Sequence, residues 1–492
     1  MSSLVTPPRL SKPPPHSADE VPGPPGGPFA AVLRMRKDPL ARFTELHQRY
    51  GPLVRLVRRP VSLFLVSDPD AIADILVGGS RAYGKGAVMH GPGSWTHLVQ
   101  PLRMLLGDGL LTSTGESHLR QRRLMQPLFH KQRIAGYGEQ FVALAAAATA
   151  GWQDGQLMDV HTEMTELTLA IVARTLFDVD ISDHVVDVVR AALDETMAGS
   201  APQEASGLGL GHVDRFPLPA ARRRRATTAA LDETVYELIA ERRAAGASGN
   251  DLLSLLLAVQ DADTGERMDD THIRDEAVTL LLAGHETTAN ALTWTFHLLG
   301  AAPDVASRLR AELDTVLGER TPTVADLPRL VYTNAVLRES MRLYPPVWAM
   351  VRHLLEDRVV AGYLLPAEST LVLGQWVMHR DERWWPEPER FDPGRWLDPA
   401  TAAGRPRFAY FPFGGGTRQC IGTSFAITEG VLTLATIVRE WSLTPAPEVR
   451  VRPEPSFTLR PRGGLPMIAH RRRRDRPGSS PGREGIGITG GR

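Results

Sequence analysis

The sequence predicts a mainly α-helical domain with a small β portion. Ala, Leu, Met and Gln at helical spacing dominate residues 119–177, and a long apolar helix runs from about Thr271 to Leu299. The strand-like segments are short and few, and no glycine-rich phosphate loop follows any of them. With 492 residues, 42% of them hydrophobic and 23% charged, the chain has the apolar content of a large globular core.

Taken in order, the first 28 residues carry nine prolines and almost no large apolar side chains. Such a segment buries too little to offset its ordering entropy, so 1–28 is expected to be disordered. Leu53 to Val66, rich in β-branched residues and broken by Arg58-Arg59-Pro60, reads as a hairpin. Asp68-Pro69-Asp70 then caps a helix beginning near Ala71. The helical stretch 119–177 follows, and after a Gly/Pro/Ala-rich interruption at 199–219 another runs through Arg243. Beyond the long apolar helix, a further helix ends at Tyr344, where Pro345-Pro346 stops it. Short strands over Arg358–Tyr363 and Thr370–Gly374 lead through a Pro-, Trp- and Arg-rich loop to a last long helix from about Ile421. Arg471 to Arg474 open a Gly/Ser/Pro tail, 471–492, read as solvated and disordered, which leaves 29–470 as one folded unit.

Lys plus Arg equals Asp plus Glu at 56 each, and zero net charge argues against nucleic-acid binding as the main business. Only four of the cations are lysines, so 52 are arginines, which looks like a compositional bias rather than a chemical requirement. No stretch reaches the roughly 18–20 apolar residues of a membrane span, and the N-terminus lacks a basic-then-apolar signal pattern. Cys420 is the single cysteine. It permits no intrachain disulfide and no multi-cysteine zinc or iron–sulfur site, and it fits a reducing compartment. The expectation is a cytoplasmic monomer.

That cysteine closes the run Phe413-Gly414-Gly415-Gly416-Thr417-Arg418-Gln419-Cys420-Ile421-Gly422. The glycines allow a tight turn and close approach to a flat ligand. A sulfur at the start of a helix lies near free N–H groups and the positive end of the dipole, both of which favour a thiolate. A lone thiolate can be the axial ligand of a haem.

This loop resembles the haem-binding loop of the cytochrome P-450 superfamily, and three further motifs stand in the family's order. Ala283-Gly-His-Glu-Thr-Thr288 resembles its oxygen-activation motif, Glu339-Ser-Met-Arg342 its Glu-x-x-Arg pair, and Pro388-Glu-Arg-Phe391 the segment completing that pair. The resemblance implies the triangular helical haem domain of that fold, with haem b held by Cys420 as proximal thiolate and Phe413 and Gly422 beside it. It assigns the propionates to Arg418, Arg352 and the pair His118 and Arg122. It also implies a buried network of Glu339, Arg342 and Arg390.

In purely physical terms, Gly284, Glu286, Thr287 and Thr288 interrupt an apolar helix, and Gly and Thr are poor helix formers. Thr287 can turn its hydroxyl back to the Ala283 carbonyl and loosen the turn. The resemblance makes Glu286 the relay of protons from solvent and Thr287 the donor at the site of oxygen activation. It implies a monooxygenase that takes O2 and two electrons and acts on a lipophilic substrate: a terpenoid, another natural product or a fatty acid. Only 70 residues follow Gly422, too few for a flavin domain. Electrons are therefore expected from a separate ferredoxin and ferredoxin reductase, with NAD(P)H contributing only through them. The family's pocket segments place Met89, Trp95, Leu281, Ala283, Trp348, Met350 and Phe457 around the substrate. Rival readings are a peroxide-driven haem-thiolate enzyme, which normally lacks the acid–alcohol pair, an isomerase-type member, and a haem sensor or electron carrier.

Overall fold

The computed structural model describes residues 15–25, 38–57, 62–85, 103, 105–178, 188–189, 191–192, 195, 219–246, 251–258, 260, 265 and 267–472, the side chains of 220, 401 and 402 excepted. Helices α1 (Pro39–Tyr50), α2 (Pro69–Ala73), α3 (Gly115–Met125), α4 (Lys131–Ala150), α5 (Val160–Val172), α6 (Pro219–Ala244) and α7 (Leu252–Ala258) make up the first half. Then come α8 (Asp270–Ala301), α9 (Pro303–Leu317), α10 (Val331–Leu343), α11 (Gln375–Met378), α12 (Pro399–Ala403) and α13 (Thr423–Glu440). Asp68 caps α2 through a bond from the Ala71 amide (2.8 Å), as its position before Pro69 predicts.

α8 is apolar around most of its circumference, and such a helix belongs inside a protein rather than on it. It starts at Asp269, whose carboxylate accepts from the His272 amide (2.8 Å), and it packs along α5 and against α10 and α13. Leu280, Leu281, Leu282, Leu292 and Phe296 join one large apolar core with Phe141 of α4, Ile171 of α5 and Leu434 of α13. The sequence reads 119–177 as one helical stretch. The structure divides it into α3, α4 and α5, with the strand β5 (Gln156–Asp159) before α5. Gln126-Pro127, Gly151 and Gly155 make the breaks, and helical composition alone did not locate them.

The β portion lies to one side. Strands β2 (Leu53–Val57), β3 (Leu63–Val66), β9 (Thr370–Leu373), β6 (Met350–Leu354) and β4 (Tyr83–Gly84) form a five-stranded sheet in that spatial order, parallel only between β3 and β9. β7 (Arg358–Val360) and β8 (Tyr363–Leu365) replace the single strand read over 358–363, because Ala361 and Gly362 turn the chain with φ of +48° and +87°. β5 joins β10 (Trp441–Pro445) and β13 (Pro466–Arg471) in a three-stranded sheet, and β11 (Pro453–Pro455) pairs with β12 (Leu459–Pro461).

Two boundary expectations shift. Within 1–28, residues 15–25 are docked: β1 (His16–Ser17) pairs with β8, Val21 is buried, and Arg55 donates to the Ala18 carbonyl (3.0 Å). Backbone pairing orders a segment whose side chains alone could not. At the other end Arg471 closes β13, and Arg472 pairs with Asp314 (2.9 Å). The remainder of both termini lies outside the described residues.

Candidate active site

The cysteine loop is shaped by its own backbone. The Cys420 amide donates to the Phe413 carbonyl and the Gly414 amide to the Phe411 carbonyl, each at 2.9 Å. Gly414 and Gly416 sit at φ of +67° and +68°, where a side chain is strained. A Cβ on Gly416 would lie 1.7 Å from the Leu76 carbonyl oxygen, so backbone there approaches backbone and nothing larger fits. Cys420 follows, exposed, with Gly422 capping α13 two residues later.

Two influences act on the Cys420 thiol in opposite directions. Enough protein surrounds the sulfur to desolvate it, and this raises the thiol above its ordinary value. The Gly422 amide, the Thr423 hydroxyl and Arg122 all act in the opposite direction and do not outweigh it. A bound metal cation is the kind of partner that reverses such a balance.

Four basic side chains gather near this loop: Lys85 after β4, His118 in α3, Arg352 in β6 and Arg418 in the loop itself. Burial and mutual repulsion lower all of them. Lys85 falls well below its usual range, Arg352 and Arg418 fall to about 10, and His118 falls to about 3. No carboxylate among the described residues pairs with any of the four. Their donors turn to carbonyls instead: Lys85 to Leu111, Arg418 to Ser113 (2.9 Å) and Arg352 to Val351 (2.9 Å). Nη1 of Arg418 is buried without a partner. Buried cations lacking an anion are costly, and this donor set fits a ligand that brings carboxylates. Arg122, close enough to act on His118, donates to the Gln419 carbonyl (2.7 Å) and so braces the cysteine loop.

The middle of α8 departs from its apolar surroundings where the sequence indicates. The Thr287 hydroxyl donates to the Ala283 carbonyl (2.7 Å) and the Thr288 hydroxyl to the Gly284 carbonyl (3.1 Å). Ala283 is exposed, and Gly284, Glu286 and Thr287 are half-buried, within a helix otherwise closed to solvent on this stretch. One carboxylate oxygen of Glu286 accepts a bond from the Thr458 hydroxyl (2.5 Å).

Glu339 and Arg342 form the buried network, with a different third member. Arg342 is fully buried and all five of its N–H groups are used: two on the Glu339 oxygens (2.9 Å each) and three on the carbonyls of His379, Pro388 and Arg390. The second arginine on Glu339 is Arg395 (2.9 Å), and the Trp396 indole N–H donates to the other oxygen (2.9 Å). Arg390 offers only its carbonyl, while its guanidinium lies at the surface against Glu387 (3.0 Å). The sequence motif found the right backbone segment and the wrong side chain.

Of the expected pocket residues, Ala283 faces open space and Phe457 is 38% exposed at the tip between β11 and β12. Leu281 instead packs in the helical core. Trp348 packs on Phe43 (5.8 Å between rings) and donates to the Ser456 carbonyl (2.8 Å). Met350 packs against the cluster under the five-stranded sheet, and its methyl lies 3.0 Å from a Cβ built on Gly414. Met89, Trp95 and all but the end of 199–219 lie outside the described residues.

Sequence reasoning missed Lys85, Arg395 and Thr458. For Lys85 a signal existed, because a lysine is rare in a chain that otherwise uses arginine. The other two reach their partners only through tertiary folding. Another anchor was also missed: the Asp108 amide donates to Asp275 (2.7 Å) and the Leu110 amide to Glu276 (3.0 Å), tying the loop before α3 to α8. Burial pushes the Glu276 carboxyl up to about 8.

Comparison with known proteins agrees with this geometry. The description of the Cytochrome P450 family matches residues 21–466. Cyclooctatin synthase of Streptomyces melanosporofaciens is 40% identical over 447 residues, covering 90% of this chain and 94% of the relative. Cyclooctat-9-en-7-ol 5-monooxygenase of the same organism is 38% identical with the same coverage of each chain. Pentalenene oxygenase of Streptomyces avermitilis is 36% identical over 85% of this chain and 90% of its own. Among solved structures, the haem domain of cytochrome P450DA superposes with a TM-score of 0.80 at 29% identity, covering 92% of this chain and 98% of that one. No helix among the described residues is long and apolar enough to cross a membrane. With the cysteine loop, the Glu–Arg pair and the interrupted central helix in their places, the chain belongs to the cytochrome P450 family of haem-thiolate monooxygenases.

Proposed function

We infer that this chain oxygenates a lipophilic carbocycle of the terpenoid kind, taking one atom from O2 and electrons from a separate ferredoxin and reductase. The substrate class is supported by relatives whose names give cyclooctat-9-en-7-ol and pentalenene as what they oxygenate. When bound, a haem would supply the oxygen-transfer chemistry, its iron made electron-rich by a thiolate. Cys420 would be that ligand, with the Gly422 amide bonding its sulfur and the Phe413 carbonyl and Arg122 bracing the loop. Lys85, His118, Arg352 and Arg418 would hold the propionates, whose negative charge this donor set otherwise lacks. Exposed Arg123, which follows the Arg122 that bonds the loop, and Lys131, two residues beyond the Phe129 that lies beside Gly422, suit an acidic electron donor.

The observation that carries the monooxygenase reading is the acid–alcohol pair. Thr287 bonds its hydroxyl back to the Ala283 carbonyl beside exposed Ala283, and Glu286 lies next to it, half-buried. Thr287 hands on a proton where oxygen is activated, and Glu286 replenishes it. General acid help of this kind contributes about 10²–10⁴-fold. Thr287→Ala therefore keeps haem content and substrate binding while product per NAD(P)H consumed falls and hydrogen peroxide rises. Added peroxide partly rescues product. Unchanged coupling in this variant would leave the threonine as a helix distortion and favour the peroxide-driven reading.

A further inference from the structure

The carboxylate of Glu286 is not held by α8 alone. Its Oε1 accepts from the hydroxyl of Thr458, a residue 172 positions away at the tip between β11 and β12. Thr458 is buried, and its oxygen accepts in turn from the Asn290 amide (3.2 Å), one helical turn beyond Glu286 on α8. The Asn290 carbonyl faces Nε2 of His161 in α5 (3.2 Å). The proton inventory fixes the direction of this chain. Thr458 has one hydroxyl hydrogen, and with Asn290 donating to it that hydrogen goes to Glu286. Asn290 then uses its carbonyl on His161, which must carry its hydrogen on Nε2. Every donor in this chain points toward the Glu286 carboxylate, and each bond polarises the next.

The hairpin tip is itself fixed. Trp348 donates to the Ser456 carbonyl (2.8 Å), Trp294 to the Leu459 carbonyl (2.8 Å), and the Leu459 amide donates to the Pro346 carbonyl (2.9 Å). Between these clamps stands Phe457, exposed and adjacent in sequence to Thr458. A substrate that packs on Phe457 presses on the residue that holds the acid.

The geometry points to Thr458 as a positioning residue that fixes the Glu286 carboxylate and ties it to the hairpin tip carrying Phe457. Contact at that tip thereby sets how well proton delivery is coupled to substrate. This rests on the reading of Glu286 and Thr287 as the proton-delivering pair. Thr458 touches neither haem nor oxygen in this account and acts only through Glu286.

The test uses the haem-loaded enzyme with a competent redox partner and two variants of nearly equal size. Thr458→Val keeps the shape and removes the hydroxyl, whereas Thr458→Ser keeps the hydroxyl and removes a methyl. Thr458→Val is expected to raise peroxide formed per product on the order of tenfold, the equivalent of one hydrogen bond to a charged group, and Thr458→Ser to stay near the parent. Denaturation of the ferric enzyme supplies a readout independent of turnover. Thr458→Val and Glu286→Leu should destabilise less in combination than the sum of the two singles, because they remove the same bond. If Thr287→Ala uncouples turnover and Thr458→Val does not, the inference is overturned and the proposed function stands. If neither uncouples, the proposed function fails and the inference with it. Equal defects in Thr458→Ser and Thr458→Val, or additive destabilisation, would mean that the residue only packs the hairpin.

Discussion

Replacing Cys420 with serine removes the thiolate signature from the carbon-monoxide spectrum of the reduced enzyme and lowers turnover to background, while the chain still folds. The loop that carries residue 420 is set by backbone bonds and by Gly414 and Gly416, none of which involves the sulfur. A serine side chain therefore fits where the cysteine was. What it lacks is an accessible anion, since a serine hydroxyl ionises far less readily than a thiol with its ordinary pKa of about 8.5. Burial pushes the thiol up while the Gly422 amide, the Thr423 hydroxyl and Arg122 pull it down, and it is the deprotonated sulfur that a metal ion binds. A Cys420→Ser enzyme that kept the signature and turned over normally would remove the ligand assignment.

The second large effect is on folding, and it separates two arginines. Glu339→Ala leaves Arg342 and Arg395 in the buried network without their carboxylate, a defect of about 3–5 kcal/mol, and Arg395→Ala removes a buried charged hydrogen bond worth about 1.5–3 kcal/mol. A natural domain has only about 5–15 kcal/mol in hand, so these variants are expected to yield poorly folded, haem-depleted protein. Arg342→Ala is at least as severe, for it also abandons the carbonyls of His379, Pro388 and Arg390. Arg390→Ala removes only an exposed pair with Glu387 and should shift stability by about 0.5 kcal/mol or less. Urea midpoints and haem occupancy across the four variants decide the matter. Loss at Arg390 with tolerance at Arg395 would restore the sequence-based assignment and contradict the structure.

These two cases show how far the sequence could be read. Features held within a few residues were legible: the glycines before Cys420, the Asp68 cap, the threonine that bonds back to Ala283, the i,i+3 pair Glu339 and Arg342. Their geometry follows from local backbone rules. The third member of the buried network was not, since Arg390 and Arg395 lie five residues apart in an irregular loop where no periodicity says which side chain turns inward. With 52 arginines in the chain, residue type carried no information either. Lys85 meets Arg418, and Thr458 meets Glu286, across more than 170 residues of intervening chain. The pocket was the least legible part. Leu281 is apolar on an apolar helix, and whether such a residue faces core or ligand depends on a rotation that composition does not encode.

The central claim is that this chain draws its inserted oxygen from O2 with the help of Glu286 and Thr287. The most direct measurement is isotopic. The reconstituted enzyme, with ferredoxin, reductase and NAD(P)H, is presented with cyclic terpenes chosen by the haem spin-state change they induce, under heavy-isotope dioxygen in ordinary water. One heavy oxygen atom per product molecule is expected. Thr287→Ala is expected to yield less of this product and more heavy hydrogen peroxide from the same NAD(P)H. Product oxygen that came from water, or product formed at full rate only when peroxide is supplied, would contradict the claim.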